Sequence, residues 1–119
     1  MSKLRGRMGE DICAAYLRRR GYEILASSYH SRYGEIDIIA AKGGIVAFVE
    51  VKLRENGSFA AALEAVDAHK RERIRRTALM WLAANGDALQ PRFDVCEIYL
   101  PAGAQPSGAK INYMENAFE

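Results

Sequence analysis

The spacing of apolar and polar positions divides the chain into a few segments of distinct period. From about Gly6 to Arg20 the apolar residues recur at helical intervals, and Gly21 stands where a helix C-terminal cap belongs. Tyr22 to Tyr29 reads as a first strand. Gly34 to Leu53 then holds two runs rich in β-branched residues around Gly43-Gly44, a pair that reaches φ > 0 without steric cost, and so predicts strand, tight turn, strand. Helical sequence follows from about Phe59 to Asn85, with a break or fresh cap at Asp67 and a stop at Gly86. Pro91 bounds a strand over Arg92–Leu100, a Pro/Gly/Ala/Ser-rich loop covers about 101–110, and Ile111–Met114 returns as a short edge strand. This order predicts an α/β domain, a mixed β-sheet flanked by helices.

The turn fixes a register. With Gly43 and Gly44 as the loop, Lys42 pairs with Ile45, Ala40 with Ala47, Ile38 with Val49, Asp37 with Glu50 and Glu35 with Lys52. Opposed residues share a face with Cβ atoms roughly 4.5–5.5 Å apart, so these last two pairs form one polar patch. Its setting is unusual, because Ile45 to Leu53 is apolar on both faces, as in a covered central strand, and only Glu50 and Lys52 interrupt it. Opposed carboxylates repel, and burying them unpartnered costs several kcal/mol in practice. A hard divalent cation with oxygen ligands offsets that cost. A solvated face of cross-strand ion pairs is the competing reading of Glu-x-Asp beside Glu-x-Lys, and the apolar surroundings weigh against it.

Two helix positions add to the patch. Glu10 shares an arc of the first helix with Cys13, Ala14 and Leu17, which turns it inward, although an acidic residue near a helix N-terminus also suits the macrodipole. Lys70 falls on the arc of Leu63, Val66, Ile74, Thr77, Ala78 and Trp81, from which it either snorkels outward or points across the sheet at a phosphate. It begins the densest basic stretch of the chain, which runs through Arg73 to Arg76, and makes this the expected backbone-binding surface. Arg32, in the loop leading to Glu35, and Arg54, where the polar connection after the hairpin begins, are counted with Lys70 and Arg73 as nucleic-acid contacts. Arg18-Arg19-Arg20 reads first as a solvated terminus complementing the helix dipole.

At 119 residues the chain is one domain with a single core, and a net charge of +2 makes nucleic-acid binding depend on clustering rather than bulk charge. Cys13 and Cys96 sit in apolar patterns and are expected reduced and buried, as suits a cytoplasmic protein. The N-terminal residues lack the apolar stretch of a signal peptide, and no run approaches the ~18 apolar residues of a membrane span.

Asp37, followed across a hairpin by Glu50-Val51-Lys52, resembles the PD-(D/E)xK signature of restriction-endonuclease-like nucleases, with Ile36 where that signature carries proline. Gly34-Glu35-Ile36-Asp37-Ile38-Ile39, Phe48-Val49-Glu50-Val51-Lys52 and Arg92-Phe93-Asp94-Val95 together resemble the YraN-like family of small bacterial endonuclease-like proteins. The resemblance implies a restriction-endonuclease-like core and metal-dependent hydrolysis of DNA phosphodiester bonds. It implies that Asp37 and Glu50 hold Mg²⁺ (or Mn²⁺), that Glu10 completes the metal shell, and that Lys52 orients or deprotonates the attacking water. Glu35 would then fix Lys52 or bind a second ion. A single domain covers few phosphates, so a symmetric substrate would call for a homodimer. The competing class is a nucleic-acid-binding or interaction module that keeps this fold without turnover.

Overall fold

The computed structural model describes residues 3–55 and 67–119. Helix α1 (Lys3–Arg19) leads into β1 (Glu23–Ser31), β2 (Gly34–Lys42) and β3 (Ile45–Arg54); α2 (Ala68–Asn85), β4 (Gln90–Tyr99) and β5 (Lys110–Phe118) complete the chain. The five strands form one sheet in the order β1-β2-β3-β4-β5, antiparallel except for the β3–β4 pair. The mixed sheet flanked by helices is therefore the one expected.

Local chemistry accounts for the ends of the elements. Tyr22 N–H returns to Leu17 C=O and Gly21 N–H to Arg18 C=O, with Gly21 at φ +91°, which is the Schellman arrangement that ends α1. Asp67 caps α2 by accepting the Lys70 N–H at 2.9 Å, while Leu63 and Val66, expected on the same helix, lie outside the described residues. In the β2–β3 turn only Gly43 takes the left-handed conformation (φ +59°), and Lys42 pairs with Ile45 across a two-residue loop.

Each face of the sheet buries its own apolar cluster. On one face Cys13, Ala14 and Leu17 of α1 cover Ile38, Ala40, Ala47, Val49, Cys96 and Ile98; on the other Ile74, Ala78 and Trp81 of α2 cover Ile36, Ile39, Val46, Phe48 and Val95. Both cysteines are free and buried. These lists expose a break in β2. Ile38 and Ala40 face α1, and Ile36, which strict alternation would put beside them, faces α2. The residue at the break is Asp37. Beside it in β1, Ser28 holds φ +50°, a conformation costly for a residue with a Cβ.

The last strand is longer than the expected Ile111–Met114, pairing with β4 from Lys110 to Phe118. A register shift between Phe93 and Val95 and a positive φ at Asn116 (+52°) bring Phe118 onto Phe93, with ring centroids 5.2 Å apart. The polar Glu115-Asn116 pair hides this continuation from a reading based on alternation.

Candidate functional site

Asp37 stands where β2 and β3 part. The ladder between them ends at Ile38–Val49, and at the next position the Asp37 side chain replaces a ladder bond by accepting the Val51 N–H at Oδ2, 2.8 Å away. The expected pairing of Asp37 with Glu50 is thus absent from the ladder, which ends one position short of it. Because β2 changes face here, Asp37 lines two openings, one toward α1 with Gly6, Glu10, Val51 and Leu53, the other toward α2 with Glu35, Glu50, Lys70 and Arg73. Burial, then the charge of Glu50, push its carboxyl up to about 8; the Val51 hydrogen bond opposes them, and Glu10 and Glu35 add to the rise.

Carboxylate oxygens of Glu10, Glu35 and Asp37 all lie within 4.8 Å of one another. Glu10 reaches the group from α1, one turn before Cys13 and Ala14 anchor that helix on the sheet, and the Ser28 hydroxyl donates to its Oε1 at 2.8 Å. The strained Ser28 is the residue that sequence reasoning missed, and nothing in the local pattern signals it. Glu35 was expected opposite Lys52. It turns instead toward Glu10 and Asp37, with His30 Nε2 3.9 Å from its other side, because the strands have already diverged.

Glu50 is buried on the α2 face and is held by cations. Its Oε1 meets Lys52 Nζ at 3.3 Å and Lys70 Nζ at 2.5 Å. Lys70 therefore reaches across from α2 onto the sheet, the inward alternative of the two left open by its helical position. The two amines shift in opposite directions. Burial, then the hydrogen bond with Lys70, lower the pKa of Lys52; burial works against Lys70 too, but contact with Glu50 and Lys52 outweighs it and raises the Lys70 pKa. Glu50 and Lys70, with Glu35, Asp37, Arg73 and Gly34, line a cavity of about 270 Å³. Gly34, at φ +154°, brings β2 in against Arg73 and Thr77 of α2.

The structure therefore gathers Asp37, Glu10 and Glu35 at one point, and Glu50, Lys52 and Lys70 beside it. Its main departure from the expected arrangement is that the carboxylate nearest a shared ion position with Asp37 and Glu10 is Glu35, while Glu50 is engaged by lysines. Arg32 stays exposed at the rim, donating to the Tyr33 hydroxyl at 2.9 Å. Arg54 turns its Nε to the fully buried Glu97 at 3.1 Å, whose Oε1 has no hydrogen-bond partner among the described residues. Asp94, part of the third sequence block, lies buried on the α1 face, where Arg92, Tyr113 and the Asn116 N–H satisfy it.

Residues 9–98 match the description "Uncharacterised protein family UPF0102". The chain belongs to that family. A UPF0102 protein of Alkaliphilus metalliredigens is 43% identical over 119 residues, 99% of this chain and all of the relative. Others are 41% identical in Caldanaerobacter subterraneus subsp. tengcongensis, covering 95% of this chain and 93% of the relative, and 46% identical in Nocardia farcinica, covering 85% and 80%. The matched span takes in all three sequence blocks and every charged residue of the cleft. No helix among the described residues is long and apolar enough to cross a membrane.

Proposed function

We propose that this UPF0102 chain is a metal-dependent nuclease that hydrolyses DNA phosphodiester bonds on a restriction-endonuclease-like fold. The observation that carries the reading is the meeting of the Glu10, Glu35 and Asp37 oxygens within 4.8 Å of one another at a break in the sheet, beside a lysine pair. The donors fit Mg²⁺ or Mn²⁺: all are carboxylate oxygens, and the central one carries a raised pKa that a nearby cation would relieve. Asp37 and Glu10 would hold the ion, with Glu35 the third oxygen in reach and Glu50 the carboxylate on the other side of the same opening.

When bound, such an ion neutralises charge developing on the phosphate and acidifies an attacking water. The side chains supply the rest. Lys52, whose pKa is lowered by burial, would take a proton from the water. Lys70 and Arg73 offer their charges to the phosphate in the cavity they line. Ser28 positions Glu10 through its hydroxyl.

One observation favours a second reading, a nucleic-acid-binding module without turnover: Glu50 is already neutralised by Lys52 and Lys70 and needs no metal. A cleavage assay on linear and branched DNA, with and without Mg²⁺ or Mn²⁺, decides between them. The enzyme reading expects metal-dependent products that Asp37→Asn and Glu50→Gln abolish. Binding without cleavage under every metal condition supports the module.

A further inference from the structure

The rim of the cleft carries a second cavity that the cleavage chemistry does not use. Tyr33, Arg76, Leu79, Met80 and Ala83 line a shallow opening of about 310 Å³ on the outer side of α2. Two of the three large apolar side chains exposed among the described residues are here, Leu79 at 64% and Met80 at 40%. The Tyr33 ring has the Arg32 guanidinium 5.0 Å and the Arg76 guanidinium 5.4 Å from its centroid. Tyr33 is the chain neighbour of Gly34, and Arg76 lies three residues beyond Arg73, so this opening adjoins the cavity assigned to the phosphate.

An apolar floor, an aromatic wall and two flat cations are the surfaces on which a nucleobase packs. Bases stack on aromatic rings and guanidinium planes, while their phosphates seek basic side chains. Lys70 and Arg73 on the same helix supply that second need. A base inside a duplex is covered by its neighbours above and below and cannot enter. We propose that the Tyr33/Arg76/Met80 cavity seats an unpaired base next to the cleavage site, so that the preferred substrate is a strand with unpaired nucleotides rather than continuous duplex. This rests on the nuclease reading of the Asp37 cleft. Charge complementarity selects the occupant, because a purely apolar partner would leave the Arg76 guanidinium that lines the cavity facing it.

The test is equilibrium binding by fluorescence anisotropy in EDTA, where cleavage cannot interfere. The probes are a blunt duplex and the same duplex with a single-stranded overhang carrying a fluorescent adenine analogue. The overhang should bind roughly tenfold or more tightly than the blunt duplex, as one stacked base implies, and its fluorescence should be quenched. Tyr33→Ala should erase both effects and Tyr33→Phe should keep them. Met80→Glu, at an exposed helix position, should also erase the preference and keeps the test open should Tyr33→Ala fail to fold. Equal affinity for the two probes overturns this inference and leaves the cleft reading standing, whereas no binding to either probe overturns both. A wild-type dimer in sedimentation that Met80→Glu splits into monomers would assign the cavity to a second copy of the chain and overturn the proposal.

Discussion

Two aspartates on one sheet meet opposite fates. Asp94 is fully buried, and every direction around it is filled: Arg92 donates through Nε at 2.9 and 3.2 Å and through an Nη at 2.8 Å, Tyr113 OH donates at 2.6 Å, and the Asn116 N–H at 2.9 Å. Arg92 is itself held by the Tyr22 hydroxyl, and its pKa is raised above its usual value by the hydrogen bond to Asp94. Among the described residues Asp37 accepts one hydrogen bond, from Val51, and it has negative neighbours on both sides of the sheet. The first carboxylate is stabilised by its surroundings, which is what a structural charge requires. The second is held at a cost, and such a cost persists in a fold when something absent from the free protein relieves it.

The contrast can be broken first at Asp94. Arg92→Ala leaves that carboxylate buried with only Tyr113 and Asn116 as donors, and should cost about 3 kcal/mol, toward the lower end for an orphaned buried charge. Urea denaturation measures it. An effect within experimental error would mean that the network is not structural.

At Asp37 the sign should reverse. Its folded pKa of about 8 exceeds the ordinary 3.8 of an aspartate, so the folded protein binds the extra proton and stability falls as pH rises through that interval. Metal-free protein should therefore lose stability between about pH 4 and 8, and Asp37→Asn should remove this component of the slope. Asp37 is partly open to solvent, which discounts the gain of the variant at pH 8 to on the order of 1–2 kcal/mol. A variant less stable than wild type at pH 8 would place Asp37 in the same class as Asp94.

The smallest expected stability effect is at the lysine pair. Lys70→Ala removes one of two cations from Glu50, half of whose neutralisation survives in Lys52, and should cost about 1 kcal/mol or less. Its larger consequence should be on DNA: weaker binding across all sequences, with the salt dependence lowered by roughly one unit of slope.

How much of this was legible in the sequence follows the range of the forces involved. Gly43-Gly44 sets the hairpin register by local backbone geometry, and Lys42–Ile45 through Ile38–Val49 pair as the turn dictates. Helical periodicity turned Glu10 inward and left Lys70 open between two directions, and both side chains point to the cleft. The reading failed where alternation itself fails. The face change between Ile36 and Ile38 lies beside the positive φ of Ser28 in the neighbouring strand, a pairing that leaves no mark on the β2 sequence. The Asp94 network was invisible for a related reason: Tyr22, Arg92, Tyr113 and Asn116 meet only through tertiary pairing, and each alone reads as an ordinary surface or strand residue. Likewise, nothing near Arg54 in sequence announces that Glu97 is buried beside it.

The central claim is that Asp37 and its neighbours are built around a divalent cation. Calorimetric titration of Mn²⁺ into the protein at pH 7, repeated in two buffers of different ionisation enthalpy, tests it directly. With the Asp37 carboxyl near 8 the free site is largely protonated at this pH, so binding should displace close to one proton, read as a buffer-dependent heat. Asp37→Asn should lose both the proton release and most of the affinity, and Glu10→Gln most of the affinity. Absence of Mn²⁺ binding by the wild-type chain, or binding that Asp37→Asn leaves unchanged, would contradict the account.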